Sequence, residues 1–246
     1  MEEKKPLISV VIPGWNEEKT IARTLSSLSH QKTSFPFEVI FVDNNCTDNT
    51  VKIAESFRGA IENLEIICEK KQGIGAARNA GFKAAQSEII ASTDSDTILP
   101  EDWLAKIYNT FQENPQAIGL VGTYIFEGKS RLFNLGTKII MISADLFHRI
   151  IAGSFAFRGL NFAIKKEAWE KAGGFNPKIS ALEDVDLSLR AKKLGKIIYL
   201  PKLEIKTTYR RFEGRFFQQL KKRMRVYFYR VILRNTKKYT EWEQIR

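Results

Sequence analysis

Cysteine is scarce, with only Cys46 and Cys68 in 246 residues. Their number and spacing exclude a disulfide framework and a zinc site, so each reads as a small core or loop residue, and a reducing, cytoplasmic setting fits. Long apolar runs are missing too. Met1-Glu2-Glu3-Lys4-Lys5 leads straight into a strand-like run with no signal-peptide apolar region. No stretch of about 18 uncharged apolar residues follows, so no segment is expected to span a membrane. The longest candidate, Leu132 to Ile151, is interrupted by Lys138, Asp145, His148 and Arg149 and reads as an amphipathic helix.

Acidic residues are nearly absent from one region. Between Lys206 and Lys238 there are twelve Lys and Arg against Glu213 alone, which accounts for the whole formal excess of +11. Within that region Phe216, Phe217, Leu220, Met224, Tyr227, Phe228, Val231 and Ile232 recur every three or four residues, with Arg215, Lys221, Lys222, Arg225 and Arg230 largely between them. This is the pattern of a cationic amphipathic helix. Such a helix either packs its apolar face on its own domain or lies on an anionic membrane surface, where each basic residue contributes on the order of 1 kcal/mol.

What is present in quantity is apolar material, 43% of the chain, enough to fill the core of one large α/β domain or two small ones. The runs Leu7 to Ile12, Glu38 to Val42, Leu64 to Cys68 and Ile89 to Thr93 read as buried strands, with helix periodicity between them. Alternation of this kind predicts a mostly parallel sheet covered on both faces. Ligands of such sheets bind beyond the carboxyl ends of the strands. The residues there are strongly polar: Pro13-Gly14-Trp15-Asn16-Glu17, Asp43-Asn44-Asn45, Lys70-Lys71-Gln72-Gly73 and Asp94-Ser95-Asp96.

The last of these groups is the most informative. Carboxylates two apart on an extended segment point the same way, and hard oxygen ligands suit Mg2+ or Mn2+ bridged to phosphate oxygens. A solvated turn is the plain alternative. Asn16 and Asn45 can equally cap helices, with Thr47 and Asp48 opening a helix toward Phe57. Asp43, directly at the end of a strand, is suited to accept hydrogen bonds from a base or ribose. Gly73-Ile74-Gly75-Ala76-Ala77-Arg78-Asn79-Ala80-Gly81 enters a helix without the spacing of a dinucleotide fingerprint or a phosphate loop. Its small residues allow close helix packing, and Arg78 is placed to neutralise phosphate. Glu183 and Asp184 open the helical run Val185 to Leu194, where acids also favour the helix dipole.

Taken in order, these segments resemble the inverting family 2 glycosyltransferases with a GT-A fold, over roughly Ile8 to Tyr209. The carriers are Val10 to Glu18, Phe41 to Thr50, Gly75 to Gly81, Asp94-Ser95-Asp96, Gly173-Gly174-Phe175 and Glu183-Asp184-Val185-Asp186-Leu187. The resemblance implies a mixed, mostly parallel, Rossmann-like sheet flanked by helices, followed by a basic amphipathic C-terminal helix. It divides the chain into a GT-A domain over 1–210, with the nucleotide-binding half up to about 100 and the acceptor half over 101–210, and a basic extension over 211–246.

The resemblance also assigns roles. Pro13, Asn16, Glu17, Asp43, Arg78, Asp94 and Ser95 would hold the nucleotide, with Asp43 reading the base, and Asp94 and Asp96 would hold Mn2+ or Mg2+. Gly159 to Ile164, a strand feeding the helix Lys166 to Ala172, would border the acceptor. Asp184 would be the general base, with Glu183 orienting it or sharing the role. Arg211 and Arg215 are candidates for diphosphate or acceptor contacts.

The expected donor is a UDP- or GDP-sugar, and the expected acceptor a glycan or lipid-linked glycan, reached by a peripheral enzyme on the cytoplasmic face of a membrane. In this sequence Lys206-Thr207-Thr208-Tyr209-Arg210-Arg211 carries no His where many relatives place another metal ligand. Gln-x-x-Arg-Trp is absent, which points to one sugar per encounter rather than polymer synthesis. Cys46 replaces a small hydroxyl residue common in its loop. Two other classes stay open: a nucleotidyltransferase, which would release pyrophosphate, and a nucleic-acid-binding module using the basic segment. The latter leaves the four polar loops without a purpose.

Overall fold

A computed structural model describes residues 5–232 apart from 180, 211, 212, 214 and 215. Strands β1 (Ile8–Gly14), β2 (Phe37–Asp43), β3 (Leu64–Cys68) and β4 (Ile89–Thr93) match the four apolar runs, the first two extending one or two residues further into the polar loops. β5 (Thr97–Ile98), β6 (Ala117–Phe126), β7 (Asn161–Lys165) and β8 (Lys196–Thr207) complete one eight-stranded sheet of order β3-β2-β1-β4-β7-β6-β8-β5. The run from β3 to β4 is parallel, β7 lies antiparallel between β4 and β6, and β8 returns parallel to β6. The sheet is thus mixed and mostly parallel on the nucleotide side, as its βαβ order predicts.

Residues alternate between the two faces. Val10, Ile12 and Phe41 join one buried cluster, with α1 (Ile21–Ser29) and α4 (Trp103–Glu113), while Val11, Ile40 and Val42 join the other. The second cluster is capped by α3 (Ile74–Ala84) and the aromatic rings of Phe82, Phe162, Trp169 and Phe175. Both faces of the central strands are therefore buried, which is why they read as unbroken apolar runs. Close approach of α3 explains one glycine in its sequence. A Cβ on Gly81 would lie 2.4 Å from Val11 Cγ1 and 2.9 Å from Val42 Cγ2, so any larger residue pushes the helix off the sheet.

Four other expected helices shift by a turn or less. α2 (Thr50–Glu55) starts after Asp48, whose Oδ1 accepts from the Thr50 N–H at 3.0 Å. α6 (Lys166–Lys171) follows β7 directly. α7 (Glu183–Ala191) begins at the two acids themselves rather than at Val185. α5 (Arg131–Ala152) starts at Ser130, whose hydroxyl accepts from the Phe133 N–H, and stops at Gly153, at a φ of 71°.

α5 departs from the usual arrangement of an amphipathic helix. Its buried residues are Asp145, His148 and Ala152, whereas Leu132, Leu135, Ile139, Leu146 and Ile150 face outward. The basic amphipathic pattern near the C-terminus forms α8 (Phe216–Tyr227), continued by a π-helical turn over Phe228–Ile232. Val226 and Val231 are buried and Met224, Phe228 and Ile232 exposed, so the helix packs one edge and leaves another open. No helix among the described residues is long and apolar enough to cross a membrane.

Candidate active site

The carboxyl ends of β1, β2, β3 and β4 open into one cleft of about 870 Å³, which runs on past α7 to the inner side of α5. Its walls bring together Pro13, Asn16, Glu17, Asp94 and Ser95 on one side with Arg78, Glu183 and Asp184 on the other. Asp43 and Asp96 stand just behind these walls. Asp43 Oδ1 accepts the Cys46 N–H at 2.8 Å, and Asp96 is buried, its Oδ2 accepting from Thr208 Oγ1 at 2.8 Å. Arg211 and Arg215 lie outside the described residues.

The donor-side loops are tied to each other through side chains. Asn16, at a φ of 54°, uses its Oδ1 to accept the Thr47 N–H at 2.8 Å. Asn44 is a buried hub, donating to Glu69 and Lys71 carbonyls and accepting the Gly73 N–H at 2.8 Å. Arg210, just past β8, reaches both carboxylate oxygens of Glu17 at 2.6 and 2.8 Å. The segment after β8, which carries no histidine, therefore closes over the β1 and β4 loops through Thr208 and Arg210.

Arg78 occupies the centre. Fully buried, its guanidinium donates to Asp94 Oδ1 at 2.7 Å and to Glu183 Oε1, joining the Asp-x-Asp turn to the start of α7. Burial opposes its charge, but Asp94, Glu183 and Asp184 outweigh that and hold its pKa above the usual value. Glu183 is pushed up by burial and then by the neighbouring Asp184 charge, against the pull of Arg78. Arg78 thus meets two carboxylates at the cleft wall, while its Nε has no hydrogen-bond partner among the described residues.

Asp184 is more accessible than Glu183. Its Oδ2 accepts the Gly159 N–H at 2.7 Å and its Oδ1 the Val185 N–H at 2.8 Å. A Cβ on Gly159 would fall 2.2 Å from Arg78 Nη2, so any larger residue has to displace the guanidinium or the loop. The preceding Leu182 sits at a φ of 59°, a left-handed conformation that costs a branched-chain residue on the order of 1 kcal/mol. Asn79 accounts for the Gly173-Gly174-Phe175 motif: its amide donates to the Phe175 carbonyl at 2.7 Å and its Oδ1 accepts the Phe175 N–H at 2.8 Å.

A second polar group lies at the far end of the cleft. Arg158 pairs with Asp145 of α5 and donates to the Gly122 carbonyl at 2.7 Å, while His148 Nδ1 and the Tyr227 hydroxyl are hydrogen-bonded at 2.6 Å. Burial, then the Lys192 and Arg158 charges, lower the His148 pKa to about 4, so the ring is neutral, and its Nε2 has no hydrogen-bond partner among the described residues. Sequence reasoning treated Asp145 and His148 only as interruptions of an apolar run. Their spacing of three placed them on one helical face, and that was the signal for an inward polar stripe.

The chain is 36% identical over 204 residues to the glycosyltransferase AglE of Haloferax volcanii, covering 79% of this chain and 64% of that one. It is 29% identical to the probable glycosyltransferase YdaM of Bacillus subtilis, covering 77% of this chain and 47% of that one. The chain therefore spans about half to two thirds of the length of these relatives. Among solved structures, the mannosyltransferase PcManGT from Pyrobaculum calidifontis, in complex with GDP-Man and Mn2+, superposes with a TM-score of 0.65 at 21% identity, over 83% of this chain and 57% of that one. S. aureus TarS 1-349 in complex with UDP-GlcNAc does so at 0.65 and 22%, over 82% of this chain and 58% of that one. These likenesses show the GT-A fold. The family model for glycosyl transferase family 2 matches residues 9–176, from β1 through the Gly173-Gly174-Phe175 turn, and the chain belongs to that family.

Proposed function

We propose that the chain transfers a single sugar, with inversion, from a nucleoside diphosphate sugar to the hydroxyl of a glycan or lipid-linked glycan acceptor. The observation that carries this reading is the Arg78 bridge, which holds the Asp94 turn and the Glu183-Asp184 pair side by side in one cleft. The half up to about 100 would hold the donor and the 101–210 half the acceptor. A UDP- or GDP-sugar is the donor class favoured by the relatives' bound ligands.

The chemistry of the residues at the end of β4 supports a divalent cation there, although Asp94 Oδ1 is engaged by Arg78 and no group of three or more His, Cys, Asp or Glu gathers among the described residues. Asp94 and Asp96 offer hard oxygens, and Thr208, hydrogen-bonded to Asp96, is an oxygen group as well. Mn2+ or Mg2+ held by Asp94 and Asp96 would act as a Lewis acid on the leaving diphosphate. The chain's own residues do the rest. Asn16 and Glu17 shape the nucleotide side, and Arg78 keeps Asp94 and Glu183 in register. Asp184, oriented by two backbone N–H groups, takes the proton of the acceptor hydroxyl as its oxygen bonds the anomeric carbon and the bond to the diphosphate breaks. No covalent intermediate is required.

Asp184→Asn tests this assignment. It keeps the size of the side chain and one of the two accepted N–H bonds but cannot accept the proton, so donor binding should persist while turnover falls at least about 100-fold. Turnover within a few-fold of wild type would remove Asp184 from the role.

A further inference from the structure

The exposed apolar surface of this protein is concentrated in one place. Of the fourteen large apolar side chains exposed among the described residues, nine lie on α5, and Met224, Phe228 and Ile232 add three more on and after α8. The nine on α5 expose on the order of 1,000 Å², above the roughly 300–600 Å² of the largest patch on a typical monomer. Leu132, Leu135, Ile139, Ile142, Leu146 and Ile150 follow a spacing of three and four and form one stripe. Asp145 and His148 project from the opposite side into the cleft.

Charge indicates what covers this stripe. Arg131, Lys138 and Arg149 run along one edge of it, Lys138 also reaching Glu204 on β8. The only acid of α5 is Asp145, which faces inward and is neutralised by Arg158. The α8 segment with exposed Lys221 and Arg225 adjoins α5 through the His148–Tyr227 hydrogen bond and the Phe147–Tyr227 ring contact. A second copy packed face to face with its α5 antiparallel, about a two-fold axis perpendicular to the helix in the contact plane, would bring like-charged edges together, whereas an anionic lipid surface complements them. The helix is too interrupted by charge to cross a bilayer, and an apolar stripe edged with cations is the form that lies in the interface plane.

We propose that α5 seats flat on an anionic bilayer, its outward stripe among the acyl chains, with α8 beside it. The same helix then forms the wall between lipid and cleft. An amphiphilic acceptor would keep its chain against the outer stripe and bring its polar head past α5 to the end of the cleft where Arg158 and His148 lie. This second step rests on the sugar-transfer reading, and the seating itself does not.

The test is co-sedimentation of the full chain with phosphatidylcholine vesicles, with and without a quarter of phosphatidylglycerol. The variants are Ile139→Ser/Leu146→Ser/Ile150→Ser and, as the mildest change, Ile150→Glu. Circular dichroism reports folding, light scattering reports mass, and a nucleotide thermal shift is run on each protein. The proposal expects at least tenfold tighter binding to the anionic vesicles, at least a tenfold loss in the triple variant and a smaller loss in Ile150→Glu, with folding and nucleotide shifts unchanged. Absence of vesicle binding by the wild type, or equal binding by folded variants, would overturn it. So would a wild-type dimer that the stripe variants convert to monomer. Vesicle binding as expected with no nucleotide shift would leave the seating intact and overturn the transfer reading alone.

Discussion

Replacing Arg78 with Met removes the one cation shared by Asp94 and Glu183 while roughly preserving volume. Both carboxylates then face a site that is buried around Glu183 and only 14% exposed at the Asp94 side chain. Breaking a buried pair by deleting one partner costs about 3–5 kcal/mol. Protonation limits the loss, because a carboxylate with an ordinary pKa of about 4.3 can be neutralised at pH 7 for about 3.7 kcal/mol and at pH 5.5 for about 1.6 kcal/mol. In the variant Glu183 has its folded pKa raised above its unfolded value, so the folded state binds the extra proton and the destabilisation shrinks as pH falls. Urea denaturation should therefore show a loss of about 3–4 kcal/mol at pH 7 that is smaller by about 2 kcal/mol at pH 5.5. Adding Glu183→Gln should recover part of the pH 7 loss. A loss below about 1 kcal/mol, or one equal at both pH values, would refute the view that Arg78 is the charge holding the two halves of the site together.

Three further outcomes follow from the same geometry. Gly159→Ala would force its Cβ to within 2.2 Å of the Arg78 guanidinium and disturb the N–H that orients Asp184, so thermal melting should drop by about 1–3 kcal/mol equivalent and transfer should fall with it. Unchanged melting and turnover would mean that the loop gives way freely. Because the His148 pKa is lowered to about 4, the folded chain binds fewer protons than the unfolded one between there and about 6.5, so stability on the order of 3 kcal/mol is lost as pH falls through that window. His148→Phe should flatten the slope of urea-determined stability between pH 7 and 4.5, and an undiminished slope would place the titration elsewhere. Asn44→Ala removes the side chain that joins the loops after β2 and β3, and isothermal titration should show weaker nucleotide binding without a change in the order of preferred bases.

The sheet was legible because β1, β2 and β4 are buried on both faces and so appear in the sequence as apolar runs, β4 with the bounds it has in the structure, while the half-buried edge strand β3 showed through its Leu and Ile residues. The donor side was legible for a related reason: polar residues placed directly after such strands have to converge at one sheet edge. What local pattern could not reveal were partnerships over long separations. Arg78 is 105 residues from Glu183, and its pairing with that carboxylate and with Asp94 is carried by neither short motif alone. The direction of α5 was hidden for another reason. Periodicity identifies an amphipathic helix but assigns the apolar stripe to the core by default, and here the inner stripe is the polar one.

The central claim, a metal-assisted nucleotide-sugar site at the end of β4, is tested most directly by thermal shift with UDP, GDP, CMP, dTDP and their sugars, each with and without Mn2+, on wild type and Asp96→Ala. At about 100 times Kd a bound ligand stabilises the fold by roughly 2.7 kcal/mol. The account predicts a Mn2+-dependent shift with one nucleoside diphosphate class that is lost in Asp96→Ala. No shift with any nucleotide, or a shift indifferent to both Mn2+ and Asp96, would contradict it.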